Sequence, residues 1–179
     1  MRLGKLAEAI RYQEEAIAAF AAQGDRRLES RAHGCLSWAL RRSGDLEGAE
    51  REARLALSTA PAAPSRVPAS AFLAAALLEA GRAEEALVAV EEGLKALTIG
   101  VSEEGEVPLL LAHAEALKTL GRDDQARATI ARARDSVLTL AHKISDAELQ
   151  QSFLSRIEEN ARALQLAMAW GAPERAASA

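Results

Sequence analysis

The sequence predicts an all-α solenoid: antiparallel helix hairpins stacked in a row, with a C-terminal helix capping the last of them. Three observations lead there. Roughly a quarter of the 179 residues is alanine, while aromatic residues make up only 3%. Alanine is the best helix former, and a sheet would draw on β-branched and aromatic side chains instead. Four segments, set 37 to 40 residues apart, align with one another, and each has a glycine followed five positions later by an alanine. Between these signatures the apolar residues fall at helical spacing, three and four apart.

The first element, Met1 to Phe20, carries a stripe of Leu3, Leu6, Ile10, Ile17 and Phe20. It reads as the second helix of a repeat (positions 1–24) whose first helix is missing. The chain is therefore expected to be a fragment of a longer protein, or a reading frame that begins inside an array. An apolar stripe without its hairpin partner tends to find another, so Leu6, Ile10, Ile17 and Phe20 form a candidate self-association surface, possible as a homodimer contact.

The repeat signatures are Leu3-Gly4-Lys5-Leu6-Ala7-Glu8-Ala9, Ser43-Gly44-Asp45-Leu46-Glu47-Gly48-Ala49, Ala80-Gly81-Arg82-Ala83-Glu84-Glu85-Ala86 and Leu120-Gly121-Arg122-Asp123-Asp124-Gln125-Ala126. Their glycines lie 40, 37 and 40 residues apart. Each glycine suits a sharp turn that favours positive φ, and each alanine suits a crossing where two helices must approach closely. Upstream lie Leu36 and Leu40, Leu73 and Leu77, then His113 and Leu117; downstream lie Ala49, Ala53 and Ala56, Ala86 and Val90, then Ala126, Ile130 and Ala133. The implied repeats are 25–63, 64–99 and 100–143.

Two connections are longer than a hairpin requires. Pro61 to Pro68 is proline-rich and reads as an inter-repeat turn, with Pro68 in the first turn of a helix. Thr98 to Val107, with two glycines and three glutamates, reads as a mobile surface loop before Pro108 starts the next helix. Ser145-Asp146-Ala147-Glu148 is a capping-box signature for a last helix, 144–171, with Leu149, Phe153, Ile157, Ala161, Leu164 and Met168 on one face. Solenoids need such an element to cover the core of their last repeat. Residues 172–179 read as a disordered tail.

Charge and cysteine content narrow the function. With 22 basic and 26 acidic residues the net charge is −4, whereas a duplex-binding domain shows a basic excess. No nucleic-acid partner is expected. The apolar run from Ala69 to Ala80 is too short to span a membrane, and the first residues lack the apolar core of a signal peptide. A single cysteine, Cys35, makes no internal disulfide, so a reducing, cytoplasmic location is expected. His33, His113 and His142 form no metal-ligand motif, and Cys35 has no sequence-adjacent histidine to activate it. Glu14-Glu15, Glu84-Glu85 and Glu91-Glu92 read as solvated pairs on helix faces. No catalytic group, cofactor or metal is expected.

The repeats resemble the tetratricopeptide (TPR) motif of 34 residues. In that register Leu36, Ser37, Leu40, Gly44, Leu46, Ala49, Ala53, Ala56 and Pro61 fall at the motif's small, apolar and terminal-proline positions. Leu73, Ala74, Leu77, Gly81, Ala86, Val90 and Gly93 match in the third repeat; His113, Ala114, Leu117, Gly121, Ala126, Ile130 and Ala133 match in the fourth. Asp123 departs from the aromatic or leucine usual at its position, which implies a looser turn there. The closing segment, with Ile144-Ser145-Asp146, Ser152-Phe153-Leu154, Glu159-Asn160-Ala161-Arg162 and Trp170-Gly171, is similar to the end of TPR arrays at the C-terminus of large bacterial signalling proteins, among them serine/threonine kinases and ATPase-type regulators. Glu158 stands where that group often has a proline, so the segment reads as one continuous helix.

The resemblance implies a right-handed superhelix whose first helices line a concave groove that binds a protein or peptide. Its inward positions are Arg31, Gly34, Trp38, Arg41 and Arg42, then Pro68, Ala71, Ala75, Leu78 and Glu79, then Pro108, Leu111, Glu115, Lys118 and Thr119. Arg31, Trp38, Arg41, Arg42, Leu78, Leu111, Glu115 and Lys118 are the candidate partner-binding residues, because Trp and Arg dominate binding hot spots. Packing of Trp38 against a neighbouring repeat is the alternative to the groove reading. Chaperone-binding TPR domains hold a C-terminal carboxylate with Lys and Asn at two of these positions, here Gly34 and Trp38, Ala71 and Ala75, Leu111 and Glu115; chaperone tails are not the expected partner. The expected role is a non-catalytic interaction scaffold. Self-association and sensing of a peptide or small effector are the alternatives.

Overall fold

Every periodic segment of the sequence forms a helix. The structure is a computed structural model that describes residues 2–99 and 105–172, and no strand occurs among them. The helices are α1 (Arg2–Gln23), α2 (Arg26–Ser43), α3 (Leu46–Thr59), α4 (Ala63–Glu79), α5 (Ala83–Ile99), α6 (Glu106–Thr119), α7 (Asp123–His142), α8 (Ala147–Arg156) and α9 (Glu158–Ala169). Each packs on its neighbour in sequence, which makes the chain an all-α solenoid.

Glycine makes the hairpin turns. Gly44, Gly81 and Gly121 have φ of 88°, 75° and 72°, the left-handed region that a Cβ disfavours. At Gly121 the amides of Gly121 and Arg122 donate to the carbonyls of Lys118 and Leu117, the pattern that Gly81 and Arg82 make with Leu78 and Leu77. The turn before Asp123 is therefore no looser than its counterpart. Gly4 makes no turn, because the backbone there already lies within α1. A turn that the repeat signature did not flag occurs at Gly24, φ 71°, where α1 hands over to α2. Asp25 and Asp45 follow their glycines and cap α2 and α3, accepting from the amides of Leu28 and Gly48.

The alanine of each signature sits at the tightest point of its hairpin. Ala49, Ala86 and Ala126 are fully buried, as are Ala53, Ala56, Val90, Ile130 and Ala133 on the same stripes. Ala9 of the first signature is only half-buried, since α1 packs on α2 alone. Glycine sharpens two further contacts. A Cβ on Gly34 would run into the ring of Phe72, and one on Gly93 would lie 2.7 Å from Leu109 Cδ1 and 2.8 Å from Ser70 Cβ. These glycines let α4 close on α2, and α5 close on both α4 and α6.

Helices α2, α4, α6 and α9 form one row in which each touches the next. Among α1, α3, α5 and α7 no such neighbour contacts occur; each packs instead on members of the first row. A stack whose members meet along one side and splay along the other is curved, so the row of α2, α4, α6 and α9 is its concave side.

Two connections differ from the sequence reading. The Pro61–Pro68 stretch is mostly helix, with Pro64 in the first turn of α4 and Pro68 inside it. Pro64 costs little there because first-turn amides lack intrahelical acceptors. The loop after Thr98 is shorter than expected, as Thr98 and Ile99 belong to α5 and Glu106 and Val107 to α6. Positions 100–104 lie outside the described residues.

The capping segment is two helices, not one. Ile157, with φ −78° and ψ 116°, is extended and breaks it. No proline is needed: Asn160 is buried and its side-chain amide donates to the Phe153 carbonyl at 3.0 Å, satisfying an acceptor the break sets free. Glu158 and Glu159 then suit the positive end of α9. The break resets the helical phase, so the expected stripe does not form one face. Leu149, Ile157 and Met168 are exposed, while Ala163 and Ala167 pack against Ile130, Ala133 and Val137. The N-cap of α8 is Asp146, one residue beyond the expected Ser145, and accepts from the Leu149 amide at 2.8 Å. Ala172, placed by sequence in the tail, packs on this core; positions 173–179 lie outside the described residues.

Some of the polar groups between the helices are paired and others are not. Ser30 Oγ donates to the Ala56 carbonyl, and His33 Nδ1 lies 2.8 Å from Glu52 Oε2; both contacts join α2 to α3. The sequence contains no carboxylate–histidine motif, yet the hairpin makes this pair by folding α3 back on α2. Ser37 Oγ, Ser70 Oγ and His113 Nδ1 are buried without a partner. Burial holds the His113 pKa below the usual 6.5, Arg132 pushes the same way, and Glu91 opposes them.

Two outcomes follow from this packing. Replacing Ala86 by Leu should destabilise the chain by about 1–3 kcal/mol, the usual cost of overpacking a core contact, read as a lowered urea midpoint. The folded state favours neutral His113, so unfolding takes up a proton once pH falls below about 6.5. Stability should therefore be insensitive to this group above that pH and decline below it, levelling off under the folded pKa. In His113→Gln this part of the slope should vanish from urea midpoints measured across acid pH.

Candidate functional site: the concave groove

The concave row encloses a groove of about 560 Å³. Its floor and apolar flank come from Trp38 on α2, Pro68, Ala71, Phe72, Ala75 and Leu78 on α4, and Pro108, Leu111 and Ala112 on α6. The small residues matter as much as the large ones. Ala71, Ala75 and Ala112 leave room between helices that are themselves held close, and this produces a trough where larger side chains would fill it. Phe72 reaches the groove because Gly34 offers no side chain to obstruct its ring. At one end Gly105, φ 90°, lies against Pro68; a Cβ there would approach Pro68 Cα to 2.8 Å.

Charged groups rim this apolar surface. Arg41 of α2 pairs with Glu79 of α4 at 2.9 Å, and Arg162 of α9 pairs with Glu115 of α6. Arg42 reaches from α2 to Glu158 at the start of α9, at 2.8 Å. Helices α2 and α9 make no close backbone approach to each other, so this ion pair spans the mouth of the groove. Its side chains are 45% and 53% exposed, and pairs of that kind contribute about 0–1 kcal/mol. The mouth is therefore held by a weak contact. The Arg42 guanidinium also lies 5.3 Å from the Trp38 ring centre, a cation–π arrangement that orients the indole.

Of the eight residues expected to face a partner, Trp38, Arg41, Leu78, Leu111 and Glu115 line the groove. Trp38 is half-buried, with part of its surface left open to the groove. Arg42 stands at the mouth. Lys118 does not line the groove: its Nζ lies 3.0 Å from Asp123 Oδ2 and 5.7 Å from the Trp170 ring, so it joins the ends of α6 and α9 to the start of α7. Arg31 is exposed further back on α2, beside Cys35. Leu6, Ile10, Ile17 and Phe20 are each half-buried along α1, so the α2 contact covers them in part.

Sequence reasoning missed Phe72, Ala112 and the whole contribution of α9: Glu158, Glu159 and Arg162. Phe72 follows the inward Ala71 and could have been found from the glycine at position 34. The α9 residues depend on the break at Ile157, which a continuous helix would not have placed here.

Chemically the groove offers apolar contact, an aromatic face and paired charges. His33 and Glu52 lie between α2 and α3, outside its lining. Cys35 is half-buried; burial pushes its thiol pKa up and Arg31 only partly offsets this, so the unreactive thiol form is favoured. Among the described residues no three His, Cys, Asp or Glu side chains are grouped to hold a metal ion, and no helix is long and apolar enough to cross a membrane.

Compared with protein-family models and with curated protein sequences, the chain matches none.

Proposed function

We propose that the chain is a TPR-type interaction scaffold that holds a segment of a partner protein in the concave groove. The observation that carries this reading is the groove itself: a half-buried Trp38 beside Leu78 and Leu111, in a trough lined by four successive inner helices. The repeat of glycine turns and buried alanines at 37 to 40 residues supports the TPR-type assignment. The apolar floor supplies affinity, and the charged rim supplies orientation and selectivity. An apolar floor with charged groups at its rim is the kind of surface that binds a protein segment. The resemblance of the closing segment to the ends of TPR arrays in large bacterial signalling proteins supports reading the chain as part of such a protein.

Affinity capture on the immobilised chain, followed by titration of each captured protein, tests this. Trp38→Ala should weaken a true groove partner by at least about thirtyfold, the usual loss on truncating an anchor. Ala75→Phe, which fills the middle of the groove, should abolish binding. Glu84→Arg, on the exposed side of α5, should leave affinity unchanged. Normal binding by both groove variants, with loss in Glu84→Arg, would move the site to the other face.

A further inference from the structure

The charges around the groove are unevenly matched. Four carboxylates line it, those of Glu79, Glu115, Glu158 and Glu159, against two guanidiniums, those of Arg41 and Arg162. Glu79, Glu115 and Glu158 each have an arginine of the chain, the last supplied by Arg42 from the mouth. Glu159 is half-buried, lines the groove, and makes no ion pair or side-chain hydrogen bond with any described residue. A half-buried carboxylate has lost part of its hydration; the α9 N-terminus offsets some of that loss, and a cation brought to Glu159 adds an ion pair that the chain itself does not supply.

We propose that the groove selects a protein segment presenting an apolar side chain close to a lysine or arginine. This rests on the reading of the groove as the binding site and specifies the occupant. The apolar group seats between Trp38, Phe72, Leu78 and Leu111, where desolvation is already advanced, and the cation meets Glu159. An acidic segment fares worse on two counts. It meets the surplus carboxylate directly, and it gains a favourable contact only by drawing Arg41, Arg42 or Arg162 away from its own glutamate. The net charge of −4 on the whole chain adds a weak long-range preference of the same sign.

The test is a selection of phage-displayed random dodecapeptides on the full 179-residue chain, followed by titration of the best peptide. Enriched sequences should carry Lys or Arg within a few positions of Trp, Phe, Leu, Ile or Met. Glu159→Arg should weaken the best peptide by at least about fivefold, the scale of a partly exposed charge contact, and a fresh selection on that variant should enrich acidic residues instead. Circular dichroism checks that the variants keep the wild-type helix content. If Ala75→Phe abolishes binding while Glu159→Arg does not alter it, the groove binds peptides but the basic preference is wrong. Enrichment of acidic sequences on the wild type overturns it too. Peptides indifferent to Ala75→Phe, or no enrichment at all, would overturn the groove reading itself.

Discussion

The closeness with which neighbouring helices approach one another governs the rest of this structure. Ala49, Ala86 and Ala126 are fully buried at successive hairpin crossings, and Gly34 and Gly93 remove side chains where α2, α4, α5 and α6 converge. A methyl group or a hydrogen at these points lets the backbones close, and larger residues would hold them apart. Close approach along one side of the stack, with outer helices splayed along the other, supplies the curvature. Curvature in turn brings the end of α2 within reach of the start of α9, so that Arg42 and Glu158 meet although 116 positions separate them.

The two kinds of contact have different roles. Packing through Leu77, Leu109, Val90 and Ile130 is buried and sets the shape of the groove wall. The Arg42–Glu158 pair at the mouth is exposed on both sides and contributes little energy, so it can open without disturbing the floor. A groove with a firm floor and a weakly tied mouth can admit a segment without disturbing the core. The proposed selectivity uses the same division, with the anchor seated on the floor and the cation at Glu159 on the rim.

Much of this was legible in the sequence where the physics is local. Glycine turns and alanine crossings follow from backbone sterics and side-chain size, so positions 44, 81 and 121 and their partners five residues later were identifiable at once. The same pattern misled at Gly4, because a helical glycine and a turn glycine look alike without the neighbouring chain. Non-local features were harder. The break at Ile157 depends on Asn160 reaching the Phe153 carbonyl, a hydrogen bond that no local propensity reports. With the break unseen, Glu158, Glu159 and Arg162 were absent from the expected site, and Lys118 was placed in the groove although Asp123 and Trp170 hold it elsewhere. The His33–Glu52 pair shares this character, since its members lie 19 positions apart and only the α2–α3 hairpin unites them.

The central claim is that a bound segment lies along α2, α4, α6 and α9 on the concave side. Site-specific photo-crosslinking addresses it most directly, with benzoylphenylalanine introduced in turn at Leu78 in the groove and at Glu47 on the exposed side of α3, and a peptide selected on the wild-type chain as ligand. Crosslinks at Leu78 and none at Glu47 are the predicted result. Crosslinks at Glu47 with none at Leu78 would contradict it.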